Sequence, residues 1–366
     1  MRAHVLSISL SVTMLSFASL SAQAQTAAPA PTFSAVPLVA DIVGLNPPAV
    51  DASLVNPWGI ASFPGGPLWI SDNGTGLSTL YDGTGAKIAL TVTVPGPNGS
   101  PAGFTAAPTG VIWNPSGGFL VPGTTLPALF LFATEDGTIS AWAGGLPTNP
   151  TNAVLAVDNS ASGAVYKALT FGNTTTGNYI YATNFNAGTI DVFDSKFTPT
   201  KLAGNFSDSA IPAGYAPFGI ANVDGNLWVS YAVQNGAKHD DVAGAGRGII
   251  DIFNTDGQFL KRVATGGDLN SPWAIAPVPY GFTSLNRFSG TVLIGNFGDG
   301  TIHAFNRSGQ EVGTVMGATG TPLVIQGLWA LLFGGGSKTN PQTLYYTAGT
   351  NGERDGTFGV VKVITP

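Results

Sequence analysis

The sequence predicts an all-β chain folded as a six-bladed propeller, and three observations lead there. A motif of the form Pro-x-Gly-Ile-Ala, measured at its Pro or the equivalent residue, recurs more or less closely at positions 57, 108, 166, 217, 272 and 327, so its copies lie 51 to 58 residues apart. Self-similarity at such a period is the mark of a repeat architecture. Fifty glycines and 26 prolines punctuate short apolar runs, while only 9% of the 366 residues are charged. That composition leaves little from which to build solvated helices and favours short strands joined by turns. Seven Trp, nine Tyr and 21 Phe supply the bulk for a large core, and the absence of cysteine means that packing alone must hold it.

Taken in chain order, Met1-Arg2-Ala3-His4 is basic, Val5 to Leu20 is apolar and small, and Ala22-Gln23-Ala24 matches a cleavage signal. This is the layout of a secretory signal peptide, so residues 1–24 are expected to be removed and the product secreted or periplasmic. Residues 25–35 read as a flexible, proline-bearing lead-in. A single propeller domain is expected over residues 36–366.

Each repeat opens with the motif, as in Asn56-Pro57-Trp58-Gly59-Ile60-Ala61 and Ala216-Pro217-Phe218-Gly219-Ile220-Ala221. Tyr166-Lys167-Ala168-Leu169-Thr170 and Gln326-Gly327-Leu328-Trp329-Ala330 are weaker copies. A second apolar run follows each, such as Leu68-Trp69-Ile70-Ser71 and Leu227-Trp228-Val229-Ser230. A third is led by glycine in five of the six, as in Gly188-Thr189-Ile190-Asp191-Val192-Phe193. Three or four strands per unit, bounded by Gly, Asn and Asp, are the hairpins of a blade. The sixth repeat reaches Ile364 with no room for an outer strand, so Val36 to Ile42 is expected to supply it and close the ring.

These motifs carry a resemblance. Pro-x-Gly-Ile-Ala followed by Gly-Thr-Ile-x-Val-Phe resembles the NHL repeat. Over residues 36–366, with Asn56-Pro57-Trp58-Gly59, Lys238-His239-Asp240-Asp241-Val242-Ala243-Gly244 and Asn351-Gly352-Glu353, the chain is similar to a bacterial family of secreted NHL-like propellers. Many members of that family carry a PEP-CTERM sorting tail. This sequence stops at Pro366 without an apolar tail, so a released product is expected. The resemblance implies fold and export, and no particular activity.

Several function classes are excluded at this stage. The net charge is −6 and no basic run exists, which removes the electrostatic footprint of a nucleic-acid binder. No membrane span is expected beyond the signal segment. With three histidines in all and no cysteine, structural zinc of the cysteine type has no ligands. Antiparallel order puts the loop before each inner strand and the turn between second and third strands on one face, where polar residues converge. The candidate ligand-binding residues there are Asp72, Asn73, Glu135, Asn184, His239, Asp240, Asp241, Arg247, Asn296 and Glu353.

No cofactor is evident. The oxygen donors Asp72, Glu135, Asn184 and Asn296 are the metal candidates, and Ca²⁺ is the ion they would suit. Asn, Asp and Gly are also ordinary turn formers, so each of these residues has a purely structural reading. The turn from Gln234 to Arg247 is the longest of its kind, and its acids beside Arg247 could equally form a self-contained lid. His303 falls at a mixed polar position on a third strand and reads as structural. The leading expectation is a monomeric binding module for a small molecule, glycan or protein. The alternative is a Ca²⁺-dependent hydrolase, lactonase or lyase with its ion at the channel mouth.

Overall fold

The computed structural model describes residues 31–282, 286–336 and 338–364, so the signal-peptide expectation lies outside the described residues. Six antiparallel sheets follow one another along the chain. Blade one consists of Pro57–Ala61, Leu68–Asp72, Leu77–Tyr81 and Lys87–Thr93, and blade two of Pro108–Trp113, Phe130–Thr134, Thr138–Trp142 and Val154–Asp158. Blade three has three strands, Tyr166–Asn173, Asn178–Asn184 and Thr189–Asp194. Blade four runs Tyr215–Val223, Asn226–Val233, Ile249–Asn254 and Phe259–Thr265. Blade five runs Pro272–Pro277, Val292–Asn296, Ile302–Phe305 and Glu311–Thr314.

Blade six joins the two ends of the chain. Leu328–Phe333, Leu344–Gly349 and Asp355–Ile364 are completed by Thr32–Ala40, which pairs antiparallel with the last strand from Thr32↔Ile364 to Ala40↔Thr357. The N-terminal strand therefore closes the ring, and it begins four residues earlier than Val36. Each inner strand packs against the inner strand of the next blade, and Leu328–Phe333 packs against Pro57–Ala61 to complete the circle.

The recurring motif has a structural cause. In every inner strand the register shifts near the motif's glycine position, for example between Pro57 and Ile60, and between Pro217 and Ile220. Such a bulge bends the strand and leaves residues unpaired, and proline at the strand start sacrifices no ladder bond. The glycine is there because of crowding. A Cβ on Gly219 would lie 2.1 Å from the carbonyl oxygen of Trp273 in the next blade. Small hydroxyl residues then stitch neighbouring blades: Thr183 donates to the Phe218 carbonyl at 3.0 Å, Ser230 to Pro272 at 2.6 Å and Thr347 to Trp58 at 2.5 Å.

The variable residue of the motif points to the ring axis. Trp58, Thr109, Lys167, Phe218, Trp273 and Trp329 occupy it in blades one to six; in blade six the strand register puts Leu328 at the proline position, one residue later than the sequence spacing placed it. Trp58 stacks on Trp329 with centroids 3.5 Å apart, Phe297 stacks on the same indole at 3.8 Å, and Trp273 meets both Trp58 and Trp329 edge-on. These rings plug the channel. Below the plug lies an apolar well of about 160 Å³ whose wall includes Ile60, Val111, Leu169, Ile220, Ile275 and Leu331.

Candidate functional site

The polar face is built by a repeated tether. The residue after the second strand donates its amide to the carbonyl preceding the inner strand: Asn73 to Asn56, Glu135 to Ala107, Phe185 to Val165 and Phe297 to Ser271. Both loop sets thus stand on one face, as antiparallel order requires. Asn56 takes a left-handed backbone conformation (φ 47°), which asparagine tolerates better than most residues. Its side chain joins plug to rim: Oδ1 accepts from Trp329 Nε1 at 2.9 Å, while Nδ2 donates to Asn73 and to Glu353.

At the centre of this face stands Lys167, a residue the sequence reading passed over. It occupies the plug position and its side chain is only 2% exposed. Its ammonium forms an ion pair with Glu135, lies 3.6 Å from Asp240 Oδ1, and sits 5.2 Å from the Trp58 ring centroid. A buried ammonium needs such partners, because an uncompensated charge there would be costly. Glu135 is held on its other oxygen by Asn73 Nδ2 at 3.0 Å. The signal for Lys167 was a lysine where the other repeats place Trp58, Thr109, Phe218, Trp273 and Trp329.

The long Gln234–Arg247 turn folds over this centre. Asn235 accepts from the amides of Lys238 and His239 and in turn donates to Asp240, so the turn shapes itself. Asp240 bonds His239 Nδ1 at 2.7 Å. Burial raises the Asp240 carboxyl, but His239 and Lys167 outweigh it, and the net effect holds it below the ordinary range. Asp240 is therefore a carboxylate that accepts from Nδ1–H of His239, and Nε2 is the nitrogen turned away from that bond.

Three neighbouring acids behave in the opposite way. Burial pushes Asp136, Asp241 and Glu353 above their ordinary values, with Glu135 adding to the shift of Asp136 and Glu353. The expectation that an acid of this turn pairs with Arg247 is not what the structure contains. Arg247 donates instead to the carbonyls of Val242 and Ala243, and the acid's cation is Lys167.

Of the residues singled out from sequence, the mouth gathers Asn73, Glu135, His239, Asp240, Asp241 and Glu353. The others serve elsewhere. Asp72 is fully buried beneath the rim, near Thr79, Tyr81 and Asp51. Asn184 donates to Asp191 and accepts from the amides of Val165 and Ala187. Asn296 accepts from the Asn270 amide and donates to Asp268 and Thr301. These last two are turn-holding residues, so the four oxygen donors weighed for Ca²⁺ do not form one cage. Glu135, His239 and Asp240 do approach within 4.8 Å of one another, but the ammonium of Lys167 already lies against both acids.

A larger cavity of about 830 Å³ lies along the outer strand of blade three, where a fourth strand is missing. Its one acid, Asp191, is already held by Tyr166, Asn184 and Thr189. The channel mouth is the chemically richer site.

Comparison with known proteins fits this architecture. No family model matches the chain. It is 34% identical over 320 residues to uncharacterized protein R648 of Acanthamoeba polyphaga mimivirus, covering 85% of this chain and 76% of that one. Protein L690 of the same virus is 32% identical, covering 84% of this chain and 80% of its own. The chain belongs to the family of these mimivirus proteins. This corrects the expectation of a bacterial NHL-like family: these curated relatives are viral, and the motif likeness to the NHL repeat is matched by no family model.

Among solved structures, virginiamycin B lyase from Staphylococcus aureus aligns with a TM-score of 0.50 at 15% identity, over 84% of this chain and 80% of the lyase. The soluble aldose sugar dehydrogenase of Escherichia coli aligns with a TM-score of 0.50 at 12% identity, over 92% and 100%. These likenesses establish the propeller fold alone.

Proposed function

We propose that the protein is a binding module for a small polyhydroxylated molecule, a sugar or its derivative, held at the channel mouth beneath the Gln234–Arg247 turn. The observation that carries this reading is Lys167, a buried cation fixed between an acid of blade two and an acid of the covering turn. The rim sets acceptors (Glu135, Asp240) beside donors (Asn56, Asn73 and Lys167). That is the mixture a ring of hydroxyl groups requires. The basic, apolar start of the chain supports an exported module.

One observation favours an enzymatic second reading. The Asp240 carboxylate orients His239 through Nδ1 and leaves Nε2 beside the mouth, an arrangement that in the neutral ring suits proton abstraction. The aligned virginiamycin B lyase is a catalytically inactive variant with alanine in place of a histidine, so on one propeller of this fold a histidine matters to catalysis.

Thermal-shift and calorimetric titration with neutral mono- and disaccharides tests the first reading, since a ligand that binds the folded state raises its melting temperature. At least one saccharide is expected to stabilise the wild type, with affinity falling roughly tenfold or more in Glu135→Gln and Asp240→Asn. Saccharide binding indifferent to both substitutions would remove the mouth from consideration. Consumption of the bound saccharide that stops in His239→Ala would establish the second reading instead.

A further inference from the structure

On the rim between blades four and five, away from the channel mouth, a second cluster of side chains converges. We propose that His303, Asp268 and Glu311 form a binding site for a divalent transition-metal ion of the zinc class. His303 comes from the third strand of blade five and Glu311 from the fourth. Asp268 lies on the connection leaving blade four. One ligating atom from each lies within 4.8 Å of the others, in the wall of a cavity of about 240 Å³. His303 is 4% exposed, whereas Asp268 and Glu311 face solvent, so an ion has a route in and a fixed imidazole to meet.

The hydrogen bonds decide which nitrogen is offered. The Thr301 hydroxyl has one proton, and it goes to Asp299 Oδ1 at 2.6 Å. Toward His303 Nε2, 2.9 Å away, the same oxygen can therefore only accept, as it does from Asn296 Nδ2 at 3.0 Å. Nε2 therefore carries a proton, and Nδ1 is the nitrogen that faces Glu311 Oε1, at 3.4 Å, and that the neutral ring offers as a ligand. The Thr314 hydroxyl, 3.2 Å from Nδ1, can donate to that nitrogen until an ion takes the lone pair. A nitrogen lone pair beside a carboxylate oxygen calls for a positive charge between them, which a proton on Nδ1 or a bound metal ion supplies. Here no lysine or arginine among the described residues forms an ion pair with Asp268 or Glu311.

The donor set indicates the kind of ion. Imidazole nitrogen with two carboxylates suits zinc and its neighbours, while Ca²⁺ and Mg²⁺ prefer oxygen throughout. Three protein ligands leave a coordination position for water. The Thr301–Asp299 pair orients the imidazole from behind, as the outer partners of ligating histidines do. The bound ion would tie the exit of blade four to the outer hairpin of blade five.

The test is titration of Zn²⁺ into the chelator-treated full chain, followed by calorimetry and by the imidazole ¹⁵N signals. Binding of about one ion per chain is expected, with the Nδ1 signal of His303 shifted and that of His239 unmoved. Asp268→Asn and Glu311→Gln, both at solvent-facing positions, should each weaken binding by roughly tenfold or more, and His239→Ala should leave it unchanged. Zinc binding that survives the Asp268→Asn, Glu311→Gln double variant would overturn the proposal. So would binding lost in His239→Ala, or a folded wild type that takes up no zinc.

Discussion

Asp72 ends the second strand of blade one fully buried, with only the weak approach of Thr79 to offset the burial of its carboxylate oxygens. Burial pushes its carboxyl well above the ordinary range; the charge of Asp51 adds to this, and Thr79 opposes it. The folded protein therefore keeps a proton that the unfolded chain releases above about pH 4. Stability must then fall as pH rises from that value through the folded pKa, because folding takes up a proton across the window. Asp251 works in the same direction: burial raises it to about 6, although the Arg262 guanidinium at 2.5 Å pulls it down. Asp72→Asn is expected to melt higher than the wild type near pH 8 and indistinguishably near pH 4. Melting curves across that range check it, and a constant difference would show that the Asp72 proton is not coupled to folding. Nothing in the sequence marked Asp72 as different from Glu135, since both follow apolar strands and both are acids.

The strand Thr32–Ala40 is the element on which the ring depends. It covers the backbone of Asp355–Ile364, and without it that strand would be an open apolar edge. Removing residues 31–43 is expected to lower the melting temperature and cause self-association, read by light scattering and size-exclusion chromatography. A shortened chain that stays monomeric with unchanged melting would mean that the ring closes without this strand. The elements were legible because each is a short apolar run bounded by turn residues, and because the bulged inner strand favours Pro in four repeats and Gly in three. Blade three resisted. Its copy of the motif reads Tyr166-Lys167-Ala168, and in place of a fourth strand the chain runs as a loop over residues 199–206 along the blade edge. The site was less legible than the fold because it depends on pairings across blades. Lys167, Glu135 and Asp240 belong to three different repeats, and Asp268 reaches His303 from the blade before it.

At the scale of the molecule, a chain poor in charge gathers a cluster of it at one end of a plugged axis. Aromatic rings seal the channel, Lys167 stands in that seal, and five acids surround the mouth under a turn that donates two of them. The account places ligand recognition there and leaves the apolar well below the plug without a polar role. Hydrogen–deuterium exchange with and without the saccharide that stabilises the protein most tests this directly. Slowed exchange is expected in the Gln234–Arg247 turn and around Glu135 and Asp136, with the opposite face and the blade-three edge unchanged. Protection confined to residues 189–206, or to the strands around the lower well, would contradict it.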